Sequence, residues 1–339
     1  MYDVTVVILN LNGRPFLHDC LASLQQSAVP VEVVVADNGS TDNSVAYLRE
    51  HYPRVRVVEL GKNWGFADGY NRALAAVDNP WVVMLNNDAT LAPNWVERLL
   101  AVAAPEPRAA ILGGKLLFSG RGDGTVMQSA GAKFTDSGAA FEIGMGIPDR
   151  GQYDRPALVA SIPGAALLIK REVFLELGGF DAAYFAYLED VDLCWRAWLA
   201  GYEVHYVPEA VAFHRYGQSG GGRTSPFRIK WMERNRLANM FKHLEPASLA
   251  RALVISALYD AYRMLEFIAQ GHLAGLCALV TGNLAFWKDL RLILAERARI
   301  QRGRRISDRQ LREMGLLVPA LTAFREYRRL NQLELSRES

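Results

Sequence analysis

Four short apolar runs dominate the first hundred residues: VTVVIL (4–9), VEVVVA (31–36), VRVVEL (55–60) and WVVML (81–85). Runs of this length, rich in β-branched residues, read as buried strands. Between them lie segments of helical spacing at 16–26, 44–51 and 66–77, and a fourth follows at 93–103, with a proline near its first turn. Strands separated by helices run parallel, in a sheet covered on both faces. Such a sheet binds ligands beyond the C-terminal ends of its strands. The polar residues that follow each run are therefore the first place to look for chemistry.

The rest of the chain is less regular. Residues 113–155 are glycine-rich and read as hairpins and loops; 166–180 reads as a strand, a short helix and a glycine stop. Helix returns at 189–200, and EVHYVPEAVAFH (203–214) reads as two short strands broken by Pro208. From 226 onward the pattern is helical. In 252–269 the apolar arc is wide, and Asp260, Arg263 and Glu266 gather on one narrow stripe. Residues 267–287 carry no charge, a length able to span a bilayer, but Gln270-Gly271 reads as a break between two helices.

At 339 residues, half of them hydrophobic, the chain has material for one large domain or two ordinary ones. The expected divisions fall at 112/113, where the regular strand–helix alternation ends, and at 225/226, where a basic helical region (226–339) begins. Charge supports the second. Residues 226–339 hold 20 Lys/Arg against 11 Asp/Glu, a net of +9. With 38 and 36 in the whole chain, residues 1–225 are left with 18 against 25, a net of −7. The three cysteines, Cys20, Cys194 and Cys277, form no CxxC pair, which excludes a zinc signature and a disulfide framework and fits a reducing cytoplasm. MYDVTVVILN reads as a first strand, not a signal peptide.

Several stretches carry chemistry. VVMLNNDATL (82–91) ends a strand in Asn86, Asn87 and Asp88. This is either a turn, since Asn and Asp tolerate turn geometry, or a carboxylate aimed into a ligand crevice. ADNGSTDNS (36–44) puts Asp37 at the end of the second strand, where it can accept hydrogen bonds from a base or ribose, and offers Ser40 or Thr41 as helix caps. NLNG (10–13) would wall the same pocket. GKNWGFADGYNRAL (61–74) supplies amides at Asn63 and Asn71, and glycines that admit close backbone approach, Gly65 among them. AYLEDVDLCWRAW (186–198) packs Glu189, Asp190 and Asp192 at a helix start. They serve either the helix dipole or, through one of them, general base catalysis. Arg196, four residues after Asp192, either pairs with it or meets a ligand. His214 ends a strand before a glycine-rich loop, where Arg215, Tyr216, Ser219 and Arg223 can grip phosphate oxygens.

Taken in order, VVILNLNG, VVVADNGSTDNS, NWGFADGYNRAL, VVMLNNDATL, GGFDAAYFAYLEDVDLCWR and FHRYGQSGG resemble the family 2 glycosyltransferases, in particular their rhamnosyltransferase-like, non-processive branch. The likeness covers about residues 3–222. The QxxRW segment of processive synthases is missing, which argues against polymerisation. The resemblance implies a GT-A fold: an α/β, Rossmann-like mixed sheet flanked by helices, with a C-terminal helical extension. It implies donor contacts from Asn10, Asn12, Asp37, Asn38, Asn63, Gly65, Asn71, Asn86 and Asn87. Asp37 would bind the nucleotide base. NND stands where the family has its DXD motif, so Asp88 and His214 would hold Mg²⁺ or Mn²⁺. Asn86 replaces the first acid and would contact ribose or a metal-bound water. Asp190 would be the catalytic base, with Glu189 positioning it or touching the acceptor. Trp195, Arg196, Tyr216 and Ser219 would meet phosphate or acceptor.

The implied reaction is inverting, metal-dependent sugar transfer from a nucleotide-diphospho-sugar to a saccharide hydroxyl, dTDP-L-rhamnose being the first donor to try and UDP-sugars the next. The acceptor would be linked to polyprenyl diphosphate, in cell-surface polysaccharide assembly. A nucleotidyltransferase would want a basic, glycine-rich loop after the first strand, where NLNGRPF offers one arginine and one glycine. A sugar-nucleotide-binding protein without catalysis would rest on Asn86 alone. The basic helical region would either lie peripherally on the anionic inner face of the plasma membrane or form a cap and homodimer contact. Nucleic acid is not an expected partner.

Overall fold

The computed structural model describes residues 3–120, 124–216, 222, 224–322 and 325. The chain divides into two compact units. The first comprises Met1–Ala132, Glu142–Ala197 and Tyr202–Tyr216; the second comprises Lys133–Phe141, Trp198–Gly201 and Gly217–Ser339.

The first unit opens with β1 (Val4–Asn10), α1 (Arg14–Gln25), β2 (Glu32–Asp37), α2 (Ser44–His51), β3 (Arg56–Glu59), α3 (Gly65–Leu74) and β4 (Trp81–Asn86). The short β5 (Ala89–Leu91), α4 (Trp95–Ala103) and the long β6 (Ala109–Phe118) follow. Next along the chain come β7 (Met127–Ser129), then β8 (Ala132–Thr135) and β9 (Ala140–Glu142), which lie mostly in the second unit, and then β10 (Ala157–Leu158), β11 (Ala166–Lys170) and α5 (Arg171–Glu176) of the first. Then α6 (Glu189–Leu199) leads to β12 (Glu203–His214). The described residues form a ten-stranded sheet in the order β10-β12-β6-β11-β4-β1-β2-β3, with β5 beside β12 and β7 beside β6. Strands β4, β1, β2 and β3 are mutually parallel, as the sequence pattern predicts. β11 enters antiparallel between β4 and β6, so the sheet as a whole is mixed.

The central strands are buried on both faces. Val6, Val7 and Ile8 are consecutive and fully buried, as are Val82 to Leu85. Successive side chains alternate across a sheet, so this demands cover on each side. On one side α1 buries Leu17, Cys20, Leu21 and Leu24, spaced one helical turn apart, and α4 adds Trp95 and Leu99. Each such side chain contributes about 1.5–3 kcal/mol.

β12 differs from the expected pair of short strands. It is one twelve-residue strand with a register shift between Val207 and Val211 opposite β6. Pro208 cannot donate to the ladder, so the strand bulges there and then resumes. The bulge presses the Ala210 carbonyl onto Gly114, where an added Cβ would sit 1.6 Å from that oxygen. Helix α2 also starts differently. Asp42 accepts from the Ser44 backbone at 3.1 Å, while the Ser40 hydroxyl and the Thr41 backbone bond to Asn12 instead.

The second unit contains α7 (Pro226–His243), α8 (Pro246–Ala269), α9 (Leu273–Lys288), α10 (Leu290–Arg302), α11 (Asp308–Glu313) and β13 (Leu317–Val318). β13 joins β8 and β9 in a three-stranded sheet. α8 and α9 separate at Gln270-Gly271, where Gly271 has φ +65°, as the sequence suggests. The interior here is polar. Arg236 of α7 is buried and bonded to Glu233 at 2.5 Å, Asp260 at 2.7 Å, the Ser256 hydroxyl at 2.7 Å and the Ser137 carbonyl at 3.2 Å. Each carboxylate offsets the desolvation of the guanidinium.

Candidate active site

The ends of β1, β2 and β4 form one polar network. Asn10 donates from Nδ2 to Asp37 at 3.1 Å and to the Ser40 hydroxyl at 3.1 Å. Its Oδ1 accepts from Asn87 at 2.9 Å. The other oxygen of Asp37 accepts from the Ser40 backbone at 3.0 Å. Asn12, at φ +51°, turns the chain and accepts from the Thr41 backbone at 2.7 Å. Asn and Asp accept this left-handed geometry more readily than other side chains. The three strands are adjacent and parallel, so their polar C-terminal residues must converge.

Asn38 and Asn63 shape the loop before α3. Asn38 donates to the Gly65 carbonyl at 2.9 Å and accepts from Trp64 at 3.0 Å, and Asn63 accepts from the Gly65 backbone at 2.8 Å. Gly65 itself has φ +77°, and an added Cβ would lie 2.4 Å from the Phe185 carbonyl. That carbonyl accepts from Phe66 at 2.5 Å. The loop therefore grips the segment just before α6. There Phe185, Tyr187 and Leu188 all have positive φ, at 42°, 70° and 64°. Each such residue costs about 1–3 kcal/mol unless its surroundings impose it.

This segment delivers Glu189 and Asp190 to the first turn of α6. Asp190 accepts from the Gly164 backbone at 2.8 Å and from Val191 at 2.8 Å. Gly164 precedes Ala165, whose carbonyl accepts from Asn86 at 2.9 Å. The pairing of β11 with β4 thus draws Asp190 toward the end of the NND strand. Burial raises the Asp190 carboxyl above its ordinary value, against the lowering effect of its two backbone donors. Glu189 is raised further, by burial and then by the neighbouring Asp190, and its buried Oε2 has no hydrogen-bond partner among the described residues. An unpartnered buried carboxyl oxygen is costly, and such groups recur at functional sites.

β5 pairs with β12 so that Ala89 faces His214, and the Arg215 backbone donates to the Asp88 carbonyl at 3.1 Å. This register sets His214 Nε2 3.1 Å from Asp88 Oδ1 and 3.3 Å from the Asn86 amide. The far ring nitrogen, Nδ1, meets the Gln128 amide at 3.0–3.1 Å. With the Gln128 oxygen accepting from Nδ1–H, the Nε2 lone pair is free to bind a cation. Among the described residues no group of three or more His, Cys, Asp or Glu side chains could enclose a metal. Asp88 and His214 offer one oxygen and one nitrogen. That set fits a hard cation whose other positions are filled by diphosphate oxygens and water.

Some expected site residues have other roles. Arg196 is buried, clamped to Asp192 at 2.7 Å and to the Leu177 and Gly179 carbonyls at 2.8 Å, so these contacts tie it to the framework. Trp195 is fully buried, and Asn71 bonds both backbone groups of Phe180 at 2.8 and 2.9 Å. For Trp195 and Arg196 helical spacing is the reason: five and six residues after Asp190, they lie on a different side of α6. Tyr216 stands edge-on to Phe118 and His214 at the site's border. Arg215 pairs with Asp19 at 2.9 Å, while Ser219 and Arg223 lie outside the described residues. Gln128 and Glu142 carried no signal in the sequence. Glu142 bonds Ser129, and burial, with the Asp190 charge adding to it, pushes its carboxyl up to about 8.

Comparison with known proteins places this arrangement. Residues 5–178 match the family described as Glycosyl transferase family 2. The chain is 33% identical over 245 residues to N-acetylglucosaminyl-diphospho-decaprenol L-rhamnosyltransferase of Mycobacterium tuberculosis, covering 65% of this chain and 79% of that protein. It is 26% identical to Rhamnosyltransferase WbbL of Escherichia coli, covering 62% and 83% of the two chains. Among solved structures it resembles the mannosyltransferase PcManGT from Pyrobaculum calidifontis in complex with GDP-Man and Mn²⁺. The TM-score is 0.52 at 20% identity, over 89% of this chain and 85% of that one. The fold is therefore GT-A, and the chain belongs to glycosyl transferase family 2, among its rhamnosyltransferase-like members.

Proposed function

We propose that the protein is an inverting, metal-dependent hexosyltransferase acting in cell-envelope polysaccharide assembly. The observation that supports this most is the meeting of Asp88 and His214 at 3.1 Å, where β4 and β12 end. The donor is a nucleotide-diphospho-sugar, dTDP-L-rhamnose before UDP-sugars. The acceptor is a saccharide on polyprenyl diphosphate, the class of acceptor in the name of the mycobacterial relative.

Asp37 and the Asn10–Asn87 network hold the nucleoside. Asp88 and His214 would hold Mg²⁺ or Mn²⁺, which as a Lewis acid would offset the charge growing on the diphosphate. Asp190 accepts the proton of the acceptor hydroxyl as its oxygen bonds to the anomeric carbon. The carbon–oxygen bond to the diphosphate breaks on the opposite face, so the configuration inverts and no covalent enzyme intermediate forms. Glu189, buried beside Asp190, keeps it in place.

The test is a donor panel of dTDP-rhamnose, UDP-glucose, UDP-galactose, UDP-GlcNAc and GDP-mannose, each with and without Mn²⁺. One donor should respond to metal, and the response should vanish in Asp88→Ala and His214→Ala. No metal response to any donor from folded protein would return NND to the status of a turn.

A further inference from the structure

Helix α8 is amphipathic in the reverse of the usual sense. Its charged stripe faces the protein: Asp260 bonds the buried Arg236, and Arg263 is only 11% exposed beside Glu266. Its outward face carries Val254, Leu258, Tyr262, Leu265 and Ile268, of which Leu258 and Leu265 are each 67% exposed. These positions recur at helical spacing, so they form one continuous strip along a 24-residue helix. A helix whose outer face meets water carries its polar residues outside, because exposed apolar area in one patch is unfavourable.

The following helices share this character. Leu284, Trp287 and Leu292 are exposed on α9 and α10. Across α8, α9 and α10 the most exposed charged residues are basic, Arg251, Lys288, Arg291, Arg299 and Arg302, and the one acidic side chain near them in exposure, Glu296 at 39%, pairs with Arg299 at 2.9 Å. No described helix is long and apolar enough to cross a membrane.

We infer that the α8–α10 face docks on an anionic lipid surface, with the α8 strip in the headgroup boundary and the arginines on lipid phosphates. A second copy of the chain fits less well. A two-fold contact would oppose the same patch to itself and set basic groups against basic groups. Anionic lipid neutralises them. An exposed tryptophan beside a lysine, as at Trp287-Lys288, is suited to the boundary between headgroup and acyl chain.

The experiment uses the full chain and sedimentation with phosphatidylcholine vesicles, with and without phosphatidylglycerol. The wild type should pellet with the anionic vesicles and be released by salt. The double variant Leu258→Glu, Leu265→Glu should remain in the supernatant while keeping its far-UV circular dichroism and donor binding. Arg291→Glu should weaken binding roughly fivefold or more. Failure of the wild type to bind either vesicle overturns the inference. So does a dimer in solution that the leucine variant dissociates, since the strip is then a self-association surface. The vesicle assay reads the surface alone, so its failure leaves the transferase reading untouched.

Discussion

At the residue scale, the chemistry depends on side chains held by partners that do not themselves react. Gln128 fixes the tautomer of His214, and removal of such a partner typically costs ten- to a hundredfold in metal affinity. Gln128→Leu should therefore raise the Mn²⁺ concentration needed for half-maximal activity by roughly that factor, with little change in kcat at saturating metal. Asp190→Asn should lower kcat by about a hundred- to ten-thousandfold while donor binding, read by calorimetry, persists. In the proposed role of base, Asp190 has to be ionised, and burial lifts its carboxyl above the ordinary 3.8. Activity should accordingly fall on the acid side at a pH above that of an exposed aspartate, a limb visible in kcat/KM. For Glu142 the shift bears on stability. Folded, it titrates at about 8 against an ordinary 4.5, so its favourable contribution is complete below about 4.5 and is lost as pH rises through 8. Glu142→Gln should flatten that slope in denaturant unfolding measured across this window. Asp88, Asp190 and His214 could be singled out in the sequence because each stands in a stretch that resembles a family 2 glycosyltransferase motif. Gln128 and Glu142 could not, since an amide and a carboxylate in a glycine-rich stretch carry no local pattern.

At the element scale, two glycines decide how elements meet. Gly114 accommodates the Ala210 carbonyl at the β12 bulge. Gly114→Ala should cost about 3 kcal/mol or more, read as a lowered unfolding midpoint, because backbone has no low-energy way to move aside there. Gly65 lies against Phe185, at the entry to α6. Apart from the short β5, the strands and helices of the first hundred residues were legible from periodicity, with ends shifted by up to three residues. The bulge was not. Pro208 marks an interruption, but whether the strand resumes on the same neighbour is decided by β6, which lies far off in the sequence.

At the scale of the whole molecule, the second unit is organised around buried charge. Arg236→Met removes the counter-charge of both Glu233 and Asp260 and should destabilise by about 3–5 kcal/mol, seen as a fall in the denaturant midpoint. Besides the chain from 217 onward, the second compact unit includes 133–141 and 198–201, which composition and charge along the sequence do not mark. The charged stripe of α8 was visible in the sequence, but its direction was not: the natural expectation is charge outward, and Arg236 draws it inward.

By itself, the sequence determined the parallel α/β half, the polar ends of its strands and the acid cluster opening α6. These depend on local period and residue type, which each segment carries alone. Tertiary structure decided the rest. β11 inserts antiparallel beside β4, His214 comes level with Ala89, and Arg196 is committed to the framework. Each of these is a pairing between distant segments. Its energy depends on every other element already being in place, so no single stretch of chain can specify it.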